Sequence, residues 1–154
     1  MFKQIIMLLL MGFSLSNGLA QKHLSPIEQY NVEKGIALEG IDPTSYFLQA
    51  KPEKGKKEFA VSDQGVLYFF SNQKNKDLFL ANPSKYKPEY GGWCAYAMGA
   101  KEEKVTVDPY TYKLVNNKLY LFYNQFFNNT LKDWNKDQDN LMRQADLNWK
   151  KFTH

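Results

Sequence analysis

Hydrophobic and polar positions follow two periods along the chain, and each marks its own kind of element. Strand-length apolar runs occur at Glu58-Phe59-Ala60-Val61 and Val66-Leu67-Tyr68-Phe69-Phe70. Both runs are rich in aromatic and β-branched residues and flank Ser62-Asp63-Gln64-Gly65, which predicts a β-hairpin. A second hairpin is predicted from Thr111-Tyr112-Lys113-Leu114-Val115 and Lys118-Leu119-Tyr120-Leu121-Phe122. Asn116-Asn117 joins these two runs, and asparagine tolerates the positive φ that such turns need.

Helical spacing governs other segments. Ser71 or Asn72 caps a helix whose apolar face is Leu78, Phe79 and Ala81, and Asn82-Pro83 ends it. Beyond the second hairpin the chain reads as helical. Trp134, Leu141, Ala145 and Trp149 share one face there, with Asp133 at the start and Lys150 and Lys151 at the end, in the sense of the helix dipole. Ser25-Pro26 with Glu28 starts a short helix, and Asp42-Pro43-Thr44-Ser45 opens another turn through Tyr46 and Phe47. Lys51 to Lys57 is a charged loop, and Lys85-Tyr86-Lys87-Pro88 links into the segment Tyr90-Gly-Gly-Trp-Cys-Ala-Tyr-Ala-Met98. There is no internal repeat or low-complexity tract. The predicted class is α+β: small antiparallel hairpins with short helices packed on them and a C-terminal helix.

Residues 1–20 fit neither period as part of a domain. Lys3 precedes the apolar run Ile5 to Met11, and Gly18-Leu19-Ala20 supplies small residues for cleavage. That is the pattern of an export signal. Gly12, Ser14, Ser16 and Asn17 interrupt the run too early for a bilayer span. The expectation is therefore an exported protein, periplasmic or extracellular, with residues 21–154 as one domain and no membrane anchor after cleavage. Aromatic residues make up 16% of the chain, so burial can supply its stability. The formal net charge of +4 is spread through mixed-sign segments such as Lys51 to Glu58, without the concentrated basic face of a nucleic-acid binder.

Cys94 is the only cysteine, so the chain has no internal disulfide. Were its segment helical, Tyr90, Cys94 and Met98 would stack phenol, thiol and thioether on one face. A free cysteine is among the most buried residue types, and core packing stands beside a redox or metal role.

An ordered set of motifs resembles the exported branch of the YHS domain family. It comprises Gly40-Ile-Asp-Pro-Thr-Ser-Tyr-Phe47, Leu67-Tyr-Phe-Phe-Ser71, Phe79-Leu-Ala-Asn-Pro-Ser-Lys-Tyr86, Tyr90-Gly-Gly-Trp-Cys-Ala-Tyr96, Val107-Asp-Pro109 and Leu119-Tyr-Leu121. The resemblance implies a small α+β domain associated with heavy-metal handling, copper in particular. The metal-associated members carry a cysteine where this chain has Ser45, and further cysteines in an element that here reads Phe70-Ser-Asn-Gln-Lys74. Cys94 is the position that remains.

Two metal readings and one ligand reading follow. Cys94 and Met98 are soft donors suited to Cu(I), with Tyr90, Tyr96, Asp42 or Asp108 completing or tuning the site. Cleavage after Ala20 would expose Gln21-Lys22-His23, whose amine, amides and imidazole suit Cu(II) or Ni(II). Alternatively, Tyr90, Trp93 and Tyr96, with Asp42 and Asp108, border a small-ligand site. Catalysis is not expected. The two histidines, His23 and His154, lie at the chain ends, and the Asp-Pro carboxylates are explained as caps.

Overall fold

The computed structural model describes residues 25–49 and 51–153. The expected export signal, the Gln21-Lys22-His23 motif and His154 lie outside these. Ser25 opens α1 (Pro26–Gln29), its backbone N–H donating to the Glu28 carboxylate at 2.9 Å. Two short strands the hydrophobic pattern did not reveal follow, β1 (Val32–Glu33) and β2 (Ile36–Ala37). Next come α2 (Ser45–Leu48), β3 (Lys56–Asp63) and β4 (Val66–Phe70). The first predicted hairpin is thus present, and β3 takes in Lys56 and Lys57 from the expected loop. These strands form one sheet in the order β1-β2-β4-β3, parallel only between β2 and β4, where Ile36 pairs with Leu67.

Asn72 caps α3 (Gln73–Ala81) by accepting from the Asn75 N–H, as the pattern predicts. Pro83 cannot donate to continue the helix, so the chain restarts as the single turn α4 (Pro83–Tyr86), capped by Asn82. The helix that carries the cysteine motif, α5, spans only Ala95–Lys101. The second hairpin is β5 (Asp108–Val115) with β6 (Lys118–Phe122), with Asn116 and Asn117 at φ 51° and 60°.

The expectation of helix throughout the remainder is corrected in two places. Residues 124–129 form a small hairpin, β7 (Asn124–Gln125) and β8 (Asn128–Asn129). The helical part then divides into α6 (Thr130–Trp134), capped by Asn129, and α7 (Gln138–Thr153). Overall the architecture is α+β, as the two periods predict.

Strand β6 organises the interior. Leu119 and Leu121 face one core, with Tyr68, Phe70, Phe79 and Cys94; Tyr120 and Phe122 face a second, with Met98, Trp134 and Ala145. The period of two of a strand therefore divides its side chains between two apolar clusters, and 119–122 are buried without a break. Helix α5 packs against α7, where Gly99 lets the backbones meet. A Cβ there would overlap the Leu141 carbonyl oxygen and sit 3.1 Å from its carbon.

Candidate functional site

The cysteine motif is not one helix. Tyr90 and Gly91 sit at φ 54° and 61° within the tight turn Glu89–Gly92, and regular helix begins only after Cys94, at Ala95. The two glycines let this left-handed turn form. At Gly91 a Cβ would lie 2.7 Å from the Tyr30 ring, so the backbone itself is packed there. Cys94, at φ −58° and ψ 117°, bridges to Leu121 of β6, its N–H donating to the Val105 carbonyl at 2.9 Å. The expected stack of phenol, thiol and thioether is therefore absent. The turn carries Tyr90 away from helical register, and the Met98 side chain packs with Trp134 in the second core while Cys94 belongs to the first.

Around the sulfur there is a closed ring of hydrogen bonds. Tyr123 N–H donates to Sγ at 3.4 Å, Sγ and Thr130 Oγ1 are 3.4 Å apart, and Thr130 Oγ1 donates to the Tyr123 carbonyl at 3.0 Å. Because the single Thr130 hydroxyl proton goes to Tyr123, the thiol proton is the one that joins sulfur to Thr130. Just outside this ring lies a cavity of about 350 Å³, bordered by Tyr96, Lys101, Tyr123, Asn128, Thr130 and Asp133, with Cys94 in its floor. The Cys94 residue is 0% exposed, so an occupant touches sulfur only if the floor shifts.

Both charges at the rim are on short, well-placed elements. Lys101 ends α5, while Asp133 on α6 accepts from Lys136 Nζ at 2.6 Å. That hydrogen bond raises the Lys136 ammonium above its ordinary pKa. Among the described residues no group of three or more histidine, cysteine, aspartate or glutamate side chains is placed to hold a metal ion.

Other residues singled out by sequence have structural partners. Asp42 is fully buried, and its Oδ1 accepts from the Thr44 and Ser45 N–H groups at 2.8 and 3.3 Å. Its Oδ2 accepts from Ser71 N, Ser71 Oγ and Asn75 Nδ2 at 2.8, 2.9 and 2.7 Å. Ser45 donates to the Asp42 carbonyl and accepts from Glu53 N–H, tying the strand approach to the Asp-Pro turn. Asp108 accepts from Tyr110 N–H and Thr111 Oγ1, fixing the start of β5.

Tyr90 donates to Asp146 at 2.9 Å, and burial, then the Asp146 charge, pushes its phenol far above the ordinary value. Trp93 donates its ring N–H to the Gln29 carbonyl at 2.7 Å. The ring face of Trp93 carries the Lys104 ammonium, 5.9 Å away, with Phe152 and Trp149 at 4.9 and 5.9 Å. Burial lowers the pKa of that ammonium.

Of the aromatic trio expected at the site, only Tyr96 borders the cavity. Sequence reasoning missed Lys101, Thr130 and Asp133. Thr130 and Asp133 come from a segment whose hairpin-then-helix course the periodicity did not show. Comparison with known proteins returns no matching family model, no matching curated protein and no matching solved structure.

Proposed function

We propose that this chain is an exported, non-enzymatic binding module of the YHS kind that takes a small organic ligand in the cavity over Cys94. The cavity itself carries the reading. Tyr96 and Tyr123 border it beside a hydroxyl, an amide and one charge of each sign, in a volume at the lower end of the range for small-molecule sites. A ligand with a compact apolar body and polar ends satisfies those groups together. Copper or another soft metal is the weaker occupant, since the second sulfur lies in a different core and the first is sealed beneath the floor. A purely architectural role for the motif is the second reading, favoured by the closed hydrogen-bond ring in which the thiol already has partners.

A fragment screen by ¹H–¹⁵N NMR tests the proposal, run with Lys101→Gln and Asp133→Asn beside the wild type. A genuine ligand shifts the amides of Tyr96, Tyr123, Asn128 and Thr130, and loses roughly tenfold in affinity when a charge-assisted contact is removed. Stoichiometric Cu(I) uptake abolished by Cys94→Ser would replace the ligand reading with the metal one. Silence in both assays would leave the architectural role.

A further inference from the structure

The hairpin β7–β8 turns through Phe126 and Phe127, both in the left-handed region at φ 50° and 63°. That pair of conformations belongs to a two-residue turn that favours Asn-Gly and penalises bulky side chains. Here the turn holds two phenylalanines that bury nothing, 87% and 112% exposed at the outermost point of the hairpin. The base beneath them is fixed. Thr130 N–H donates to the Tyr123 carbonyl at 3.0 Å, Asn124 Nδ2 to Thr111 Oγ1 at 2.9 Å, and Asn129 Oδ1 caps α6. Strain, full exposure and a pinned base mark a feature kept for contact with something outside the fold.

We propose that the Phe126-Phe127 tip inserts into the interfacial region of an anionic lipid surface. Two observations select lipid over a protein groove. The tip is convex and narrow, with Asn124, Gln125, Asn128 and Asn129 as uncharged shoulders, a shape and polarity that suit the depth of lipid headgroups. The nearby segment is mainly basic: from Pro109 to Lys132 there is no carboxylate, and Lys113 and Lys132 have no ion pair among the described residues, while Lys118 is paired with Glu89 and the Asp108 carboxylate at the base is held by Thr111. Lys101 stands across the cavity that Asn128 borders, and the nearest acid along the chain after the tip, Asp133, is engaged by Lys136. No helix among the described residues is long and apolar enough to cross a membrane, and the contact proposed is through the hairpin tip. It does not depend on whether the cavity over Cys94 takes a ligand.

The test is cosedimentation of the chain starting at Gln21, which retains both cores, with phosphatidylcholine vesicles with or without phosphatidylglycerol. The comparison protein is Phe126→Asn/Phe127→Gly, whose residues suit the turn, so its melting temperature is expected to be equal or higher. Wild type should pellet with the anionic vesicles, release in high salt, and lose at least roughly tenfold in partitioning in the double variant. A Phe127→Trp reporter should shift its emission to the blue on the same vesicles. Equal partitioning of wild type and double variant overturns the proposal. So does a wild-type dimer that the double variant dissolves into monomers while neither protein pellets, because a second copy would then be the occupant.

Discussion

At the scale of single residues, Asp42 is the side chain on which the N-terminal half depends. A carboxylate withdrawn from water is tolerated only when its lone pairs are met, and five donors from Thr44, Ser45, Ser71 and Asn75 converge on this one. No ion pair to it exists among the described residues, so these hydrogen bonds carry the whole compensation. Asp42→Asn keeps the shape but turns an NH₂ toward groups that are themselves donors. It is expected to lower unfolding free energy by about 3 kcal/mol, measured by urea denaturation. A loss below about 1 kcal/mol would mean the donors find water or each other instead. The same residue was legible in sequence as an Asp-Pro cap. Its links to Ser71 and Asn75, about thirty positions away, were not, because nothing local encodes a contact between distant turns.

At the scale of elements, the tight approach of α5 to α7 rests on Gly99. A methyl group there must push Leu141 and the helix behind it outward, and cores resist such overpacking at about 1–3 kcal/mol. Gly99→Ala should therefore destabilise, against the usual gain of alanine over glycine in a helix. A denaturation midpoint unchanged or raised would show that α7 is free to move. Elements with a long enough pattern were readable: β4, β6 and α3 lie where the apolar runs and helical spacing put them, while β5 starts three residues earlier than expected and the C-terminal helix breaks before Gln138. Those missed had reasons. β1 and β2 are two residues each, too short for a period, and Tyr90 reads as helical until the glycines beside it take left-handed angles. Phe126-Phe127 carries none of the glycine or asparagine that signals a two-residue turn, so the hairpin was hidden inside apparent helix.

At the scale of the whole molecule, a chain without disulfides stands on two aromatic-rich cores that share β6. Tyr46 and Tyr68 lie in one and Tyr90 and Tyr120 in the other, and burial raises the pKa of all four phenols above the ordinary 10.0. Tyr120 is pushed up to about 12, by burial first and then by the charges of Glu89 and Asp146. The folded state prefers these groups neutral, so their contribution is intact below pH 10 and is lost progressively as pH rises from 10 through the folded values, which for Tyr120 means up to about 12. Because the shared strand couples the clusters, ionising a phenol in either one should bring both down together. Phenolate absorbance at 295 nm, followed beside far-UV ellipticity, should show these four groups ionising only as the helices are lost, above about pH 10. If all ten tyrosines ionise while ellipticity holds, the phenols reach water without unfolding, and the two cores do not act as one cooperative unit.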